Sequence, residues 1–279
     1  MDVWCPASCE LGEGARWIGG RLVFVDILAG RLLAASADRP GPAEELVTVG
    51  VPLGAVAPVA GRPGTWIAAA GRGVALLDQA SGALDWIDRP MPATSRVNDA
   101  VCDPAGRFWM GGMPYDGTRG AGVLYRVDAD LTVTAVRTGL TVPNGPAFTA
   151  DGRTMYLADS AEGRIDRHPV DPVTGDLGEP SVFATIADGS PDGMTVDEDG
   201  HLWVAVWGGS AVHRYAPDGR LDLVVAVPTP QPTSVCLIGG RLFVTSAAYG
   251  LDPIPRGAGA VYAMDGVAQG RPASRFLLG

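Results

Sequence analysis

One unit recurs six times along the 279-residue chain: a glycine followed by a short run of alternating apolar residues. The anchor glycines are Gly20, Gly64, Gly106, Gly152, Gly200 and Gly240. Successive anchors lie 40 to 48 residues apart, which is a spacing typical of β-propeller blades. With one apolar strand before each anchor and three after it, the repeat predicts an all-β, six-bladed propeller of four-stranded antiparallel blades.

Composition agrees with this prediction. The chain contains 39 Gly and 23 Pro and shows no long stretch of helical period, as expected for many short strands joined by turns. We expect residues 1–279 to form a single domain, because closed all-β architectures reach this length. The predicted outer strand of the last repeat is "ASRFLL", residues 273–278. We also expect a terminal segment to complete that blade, and the sequence leaves open which terminus does so.

The direction of the chain predicts where a ligand binds. If all first strands begin at one rim, here named the front rim, then the loops that join second to third strands also stand there. The longest of these loops are residues 111–122 and 246–259. Long loops around an axial opening are where a propeller encloses a ligand.

Polar residues stand at the start of four of the first strands, seven or eight residues before the anchor glycine. They are Glu13, Asn98, Asn144 and Asp192. Because they share one position in the repeat, we expect their side chains to meet on the axis at the front rim. Each of them is also typical of an ordinary turn, which is the alternative interpretation.

The stretch "SPDGMTVDEDGHLWV" distinguishes two Asp-Gly pairs. Asp199 precedes the anchor glycine and predicts the hairpin turn, so Asp192 is left as a site residue. In the second and sixth repeats the equivalent positions are Val56 and Pro232, or a neighbour such as Thr233. The polar ligands are therefore expected on part of the ring only.

Two carboxylates and two amides gathered on one axis require a compensating charge, since buried charges are costly when unpaired. A divalent cation supplies that charge. Oxygen ligands favour Ca²⁺, Mg²⁺ or Mn²⁺, and Zn²⁺ also accepts carboxylates. His168, His201 and His213 lie outside the ring position, which argues against a histidine-based zinc site.

Charge and hydropathy exclude other partners. The net charge is −10 and no basic run occurs, so nucleic acid is not expected as a partner. We expect a cytoplasmic protein without a membrane span, because neither a signal-peptide pattern nor a long apolar segment is present. Four cysteines, Cys5, Cys9, Cys102 and Cys236, are expected to be free, although Cys5 and Cys9 could pair in an oxidising compartment.

Four segments carry a resemblance to a known family, and together they span most of the chain. They are "LGEGARW" at 11–17, "RVNDAVCDPAGRFWMGGM" at 96–113, "VPNGPAFTADGRTMYLADS" at 142–160 and "SPDGMTVDEDGHLWVA" at 190–205. In this order they resemble the gluconolactonase, regucalcin and luciferin-regenerating enzyme family, also named the senescence marker protein family.

The resemblance implies a metal-dependent enzyme that hydrolyses sugar lactones or related cyclic esters. It implies one divalent cation held by Glu13, Asn144 and Asp192. We expect this cation to be Ca²⁺ first, and we expect Asp192 also to assist attack by water. Arg96 and Asn98 would contact the substrate or water. Because side chains alternate along an extended segment, Arg96 and Asn98 share one face and both can reach the axis.

The chain departs from the family in the loop of residues 111–122. Better-known sugar lactonases carry a glutamate there that binds substrate hydroxyls, whereas "MPYDGTRGAGVLY" offers Asp116 and Arg119. The small-molecule substrate is therefore open, and phosphotriester hydrolysis, epoxide opening or a biosynthetic ring closure are alternatives at the same metal site. A third alternative is a non-catalytic calcium-responsive regulator or scaffold. The sequence does not indicate the oligomeric state.

Overall fold

A computed structural model describes residues 1–279 as six four-stranded antiparallel sheets. The only helix is a single 3₁₀ turn at Ser160–Glu162. The strands are β1 (Asp2–Cys5), β2 (Gly12–Ile18), β3 (Arg21–Asp26), β4 (Arg31–Ser36), β5 (Glu44–Thr48), β6 (Leu53–Pro58), β7 (Thr65–Ala70), β8 (Gly73–Asp78), β9 (Leu84–Asp88), β10 (Ser95–Cys102), β11 (Phe108–Pro114), β12 (Gly122–Val127), β13 (Val133–Leu140), β14 (Pro143–Phe148), β15 (Thr154–Asp159), β16 (Arg164–Pro169), β17 (Ser181–Thr185), β18 (Ser190–Val196), β19 (Leu202–Trp207), β20 (Ala211–Tyr215), β21 (Leu221–Ala226), β22 (Pro232–Ile238), β23 (Arg241–Ser246) and β24 (Val261–Asp265).

The six sheets close into a ring. Each of the innermost strands β2, β6, β10, β14, β18 and β22 contacts the innermost strand of the blade before it and of the blade after it. The circle includes the contact between β22 and β2, so no blade is left at an open edge. This arrangement confirms the predicted all-β, six-bladed propeller with first strands around the axis.

The anchor glycines make the turns between first and second strands. All six have a positive φ, for example 85° at both Gly106 and Gly200, a conformation in which a side chain is disfavoured. In two blades an aspartate fastens the same hairpin: Asp103 accepts a hydrogen bond from the indole of Trp109, and Asp197 accepts one from Trp203. Both indoles are fully buried, so these bonds satisfy polar groups inside the core.

The last blade is completed by the N-terminus. Its strand order is β1-β24-β23-β22, with β1 as the outer strand, paired antiparallel with β24. The sequence-based prediction that residues 273–278 form this outer strand is wrong. The position is already taken by β1, and the apolar residues of 273–278 make a different contact, described next.

The C-terminal segment, residues 267–279, crosses the rear rim, which is the rim opposite the front rim. Its backbone hydrogen bonds at Gln269, Ala273, Phe276 and Leu277 join it to the fifth, first, second and third blades in turn. Phe276 is fully buried beside the second blade, where it forms a parallel bridge with Val59. The segment therefore covers the rear end of the axis.

The core lies between neighbouring blades, where apolar side chains of the inner strands interlock. All four cysteines are buried and free, as expected. None of the structure's helices has the length and apolar character that crossing a membrane would require.

Candidate functional site

Every innermost strand breaks its pairing register near its front end. The breaks fall between Glu13 and Arg16 in β2, Leu53 and Ala55 in β6, Val97 and Ala100 in β10, Asn144 and Ala147 in β14, Pro191 and Met194 in β18, and Pro232 and Val235 in β22. Such a break leaves side chains unpaired in the ladder and turns them away from the sheet. The break contains two residues in five blades and one residue, Gly54, in the second blade. The repeat thus directs this part of each inner strand to the axis, and the sequence decides which of its residues are polar.

Two blades contribute no acid or amide to the ring. In the second blade the residue inside the break is Gly54, whereas Val56 pairs regularly with Ala68 and packs in an apolar cluster. The expectation that Val56 occupies the ring position is therefore wrong, and a glycine leaves that part of the ring without a side chain. In the sixth blade Thr233 lies inside the break, fully buried and hydrogen-bonded to Thr245 at 2.9 Å.

All five residues predicted for the site meet in one cavity of about 280 Å³ at the front end of the axis. The five are Glu13, Arg96, Asn98, Asn144 and Asp192. Each is at most 9% exposed, so the set lies at the floor of the cavity rather than on the surface. Residues 111–122 and 246–259 flank the opening as predicted, through Met113 and Tyr249.

Three of these side chains touch one another. The carboxyl groups of Glu13 and Asp192 share a hydrogen bond, and the Asn144 amide donates to the Asp192 carboxylate. Backbone donors fix the other oxygens: Gly14 donates to Glu13 at 2.7 Å and Gly145 to Asn144 at 2.9 Å. The residues implied as metal ligands are thus held together by their own loops.

Arg96 and Asn98 form the adjoining part of the floor. The Arg96 Nη1 atom donates to the Asn98 Oδ1 atom at 3.0 Å and to the Val97 carbonyl at 2.8 Å. The Asn98 amide in turn donates to the Pro143 carbonyl at 3.3 Å. Arg96 Nη2 makes no hydrogen bond within the protein, so this donor is free to bind a ligand in the cavity.

Burial dominates the electrostatics of the floor. It raises the pKa of Glu13 well above its usual range, and the Asp192 and Asp99 carboxylates raise it further. Burial also raises the pKa of Asp192 to about 7, with Asp99 adding to the shift and hydrogen bonds from Glu13 and Asn144 opposing it. Burial lowers the pKa of Arg96, against the influence of Tyr115 and the two carboxylates. Without a further cation the two floor carboxyls do not ionise together.

No arginine, lysine or histidine forms an ion pair with Glu13 or Asp192. The structure also contains no group of three or more His, Cys, Asp or Glu side chains placed to hold a metal ion. The floor instead combines two carboxylates with two amides, a donor set suited to a hard cation. None of the histidines lines the cavity.

The walls of the cavity differ from its floor. They are mainly apolar and are formed by Leu11, Ile27, Met113, Val142, Trp207 and Tyr249. The polar residues of the 111–122 loop do not reach them. Asp116 is bonded to Thr118 within its own loop, and Arg119 forms an exposed ion pair with Glu162 at 2.6 Å.

Two further charged residues of the axis were missed by sequence reasoning. Asp99 follows Asn98 and is 1% exposed, and its carboxylate forms an ion pair with Arg16 at 3.3 Å. The two residues are separated by 83 positions and belong to the first and third blades. Asp99 lies seven residues before Gly106, the same distance as Glu13 from Gly20, but only its neighbour Asn98 was assigned to the ring position of that blade. Arg16 lies four residues before Gly20, outside the ring position, so the spacing carried no signal for the arginine.

The chain is similar to known proteins in its family motifs, its sequence and its fold. Residues 11–248 match the SMP-30/Gluconolactonase/LRE-like region. The chain is 37% identical to pentonolactonase XacC of Haloferax volcanii, over 96% of this chain and 95% of that protein. It is likewise 37% identical to an L-arabinolactonase of Azospirillum brasilense, over 86% of this chain and 82% of that protein.

Two solved structures superpose closely on the chain. A luciferin-regenerating enzyme gives a TM-score of 0.89 at 28% identity and covers 98% of this chain and 97% of its own. Regucalcin from Agrobacterium tumefaciens, described as a calcium-binding protein, gives 0.89 at 29% identity and covers 98% of this chain and 96% of its own. Both similarities extend over all six blades.

Proposed function

The chain belongs to the SMP-30/Gluconolactonase/LRE-like family, and we propose that it is a hydrolase that opens lactone rings with one divalent cation. The observation that supports the cation is the pair of buried carboxyls, Glu13 and Asp192, which has no cationic side-chain partner. The names of the pentonolactonase and the L-arabinolactonase support the lactone, and the description of regucalcin supports Ca²⁺ ahead of Zn²⁺, Mg²⁺ or Mn²⁺.

The floor residues fit such a cation. Glu13, Asn144 and Asp192 would hold it, since two carboxylates balance its charge and the amide oxygen adds a neutral ligand. When bound, the cation supplies Lewis-acid polarisation of the lactone carbonyl, an effect typically worth several kcal/mol.

Asp192 is the residue proposed to move the proton. Its carboxylate lies in the cavity floor, where it accepts a hydrogen bond from Asn144 and where water that enters the cavity can reach it. A carboxylate that binds a cation is a weak base, but water beside that cation is more acidic, so the two effects compensate. The oxygen of the attacking water forms the new bond to the carbonyl carbon, and Asp192 accepts the proton that this water loses. The ring C–O bond then breaks, and the proton passes to the ring oxygen, which yields a hydroxy acid.

Arg96 and Asn98 are proposed to orient the substrate. The bonds from Arg96 Nη1 fix the guanidinium plane, so that the free Nη2 donor points at a defined place in the cavity. A rigid donor of this kind binds a carbonyl or ring oxygen with little loss of side-chain entropy.

The apolar walls favour a less polar substrate within this proposal. A lactone with few hydroxyl groups would match Leu11, Ile27, Met113 and Trp207, whereas the hydroxyls of a sugar lactone would find polar partners only at the floor and at Ser160 and Ser190. Phosphotriester hydrolysis, epoxide opening, ring closure and a non-catalytic calcium-binding role are competing functions for the same cation site. A panel of sugar lactones, alkyl lactones and phosphotriesters, compared by kcat/KM, separates the hydrolytic reactions.

The decisive experiment removes and restores the cation. Purified protein is treated with EDTA, freed of chelator and assayed for acid release from lactones with a pH indicator. We expect turnover to be lost and to return with one divalent cation, while the melting curve shows that the protein stays folded. Full turnover in the continued presence of EDTA would refute metal dependence, and a lack of turnover with every lactone would refute the reaction.

We also propose that residues 1–279 act as one cytoplasmic domain on a small-molecule substrate. Closure of the ring by β1 joins the two ends of the chain in one blade, and four free thiols are typical of a reducing compartment. Proteolysis of the native protein tests the domain proposal, since independent domains would be released as stable fragments.

A further inference from the structure

The axis carries a third buried carboxylate in addition to the two proposed cation ligands. Asp99 is 1% exposed and follows the cavity residue Asn98 directly. Its charge acts on both Glu13 and Asp192, because it raises the pKa of each. A divalent cation balances only two negative charges, so a third carboxylate at this place needs a partner of its own.

Arg16 supplies that partner from across the axis. It comes from β2 in the first blade, and its Nη2 atom lies 3.3 Å from the Asp99 carboxylate of β10 in the third blade. The guanidinium also donates to the Ala15 carbonyl at 2.9 Å and to the Ala100 carbonyl at 3.0 Å. Arg16 is 8% exposed and does not line the front cavity, so it does not contact a substrate there.

Asp99 is only partly satisfied by these contacts. Its Oδ1 atom accepts from Arg16 and from the Ala100 backbone, whereas its Oδ2 atom is buried without a hydrogen-bond partner. Burial raises the pKa of Asp99, and the Arg16 guanidinium opposes this shift, so Arg16 favours the ionised carboxylate. The balance of charge at the axis therefore depends on Arg16.

We propose that Arg16 is a positioning residue for the cation site. Its charge neutralises that of Asp99, so that the net negative charge around the site balances a divalent rather than a trivalent cation. This inference rests on the proposed function, which supplies the cation. The remaining negative charges are then those of Glu13 and Asp192. Arg96 faces the cavity and is unchanged in every variant below.

A cycle of variants tests the charge balance. The proteins are Arg16→Met, Asp99→Asn and the double variant, each stripped with EDTA and titrated with Ca²⁺ and with La³⁺ by isothermal calorimetry. In a buried site with an effective dielectric constant of about 20, one added or removed unit charge nearby changes the dissociation constant of such an ion by about tenfold or more.

The expected signs are opposite for the two single variants. Arg16→Met leaves Asp99 without a counter-charge, so at a pH where Asp99 stays ionised both ions bind about tenfold or more tightly and La³⁺ gains more than Ca²⁺. Asp99→Asn leaves Arg16 in excess, so Ca²⁺ binds about tenfold or more weakly. The double variant removes both charges and returns the Ca²⁺ dissociation constant to within about threefold of the original value.

Two controls separate charge from folding. Arg16→Lys keeps the positive charge but not the planar fork, so Ca²⁺ affinity stays within about threefold even where the melting temperature falls. Arg107 forms a comparable buried ion pair with Asp103, at 2.6 Å and outside the front cavity. Arg107→Met should lower the melting temperature and leave both dissociation constants unchanged.

The inference is overturned if the single variants leave the Ca²⁺ dissociation constant unchanged, or if both weaken binding in step with the melting temperature. If Arg16→Met does not fold, Asp99→Asn is compared with the double variant and with Arg16→Lys. That comparison still shows whether loss of the Asp99 charge weakens Ca²⁺ binding and whether loss of the Arg16 charge restores it. A wild-type protein that binds Ca²⁺ but ignores these changes contradicts the inference alone. A wild-type protein that binds no divalent cation contradicts the proposed function itself.

Discussion

The front and rear ends of the axial channel are built from the same six innermost strands but treat polar groups in opposite ways. At the front, Glu13 and Asp192 are buried with no cationic side chain to pair with them. At the rear, a smaller cavity of about 190 Å³ is lined by Arg16 and Asp197, which are both in ion pairs, and is covered by residues 271–274. Unpaired buried carboxyls therefore distinguish the front end, where the reaction is proposed to take place, from the rear end, where Arg16 and Asp197 are both paired.

The largest expected effect is at the front end. Asp192→Asn should lower turnover by about 10²- to 10⁴-fold, because it removes the group proposed to accept the proton of water. It should not lower the free energy of unfolding of the cation-free protein at pH 8, since it removes a buried charge. Initial rates with a pH indicator and urea unfolding measure the two quantities.

The matched control for this variant is Asp199→Asn, in the exposed hairpin turn seven residues further along. It should change the rate by no more than about twofold. Near-normal turnover of Asp192→Asn would remove this residue from the mechanism.

At the rear end the expected effect is on stability alone. Phe276→Ala should lower the free energy of unfolding by about 3–5 kcal/mol, because a fully buried phenyl ring leaves a cavity against the second blade. Its neighbour Leu277 is 49% exposed, and Leu277→Ala should cost about 1 kcal/mol or less. Urea unfolding gives both values, and a loss of kcat in Phe276→Ala at a concentration where it is folded would contradict the division between the two ends.

The dependence of stability on pH sharpens the comparison further. The pKa of Asp192 is raised from 3.8 to about 7 on folding, so the folded cation-free protein holds a proton that the unfolded chain has lost. This contribution to stability is therefore fully present below pH 3.8 and is lost as pH rises through about 7. Melting temperatures in EDTA should fall between pH 5 and pH 8, and Asp192→Asn or a saturating cation should flatten this slope. A slope that is unchanged in Asp192→Asn would assign it to other groups.

The smallest effect is expected on the surface of the front rim. Arg119 is 81% exposed in its ion pair with Glu162, and such pairs contribute about 1 kcal/mol or less. Arg119→Ala should change the free energy of unfolding by about 1 kcal/mol or less and kcat/KM by no more than about twofold. A selective rise of KM for one lactone would instead show that the 111–122 loop reaches the substrate.

The architecture was open to prediction because it is repeated. A glycine with positive φ at each anchor, such as Gly200, and a period of two along the flanking strands are local signals that six blades repeat independently. The same periodicity found Asp192 and Asn144, since a residue at a fixed distance from its anchor must take the same place in each blade. Their catalytic and metal-binding roles stay predictions.

The features that escaped prediction join parts of the chain that lie far apart. Arg16 meets Asp99 across the axis, and no pattern within β2 distinguishes an arginine that points into the channel from one that faces solvent. Residues 273–278 contain the apolar run Phe276–Leu278 at the place of a fourth strand, yet the outer position of the last blade belongs to β1. Val56 was misplaced for a related reason: the anchor Gly64 follows the end of β6 by six residues, against two or four in the other blades, so the count from this anchor stops short of the break at Gly54.

The pairing of β1 with β24 has a consequence for biosynthesis. Asp2–Cys5 leave the ribosome before any blade exists, whereas Val261–Asp265, their partner, are translated after all the other strands. The first strand must therefore stay unpaired until all the other strands have been translated, and only then does the ring close. A chain in which β1 is unpaired or removed would expose the unpaired edge of β24 to other chains. Pairing of β1 with β24 therefore also prevents strand exchange between molecules.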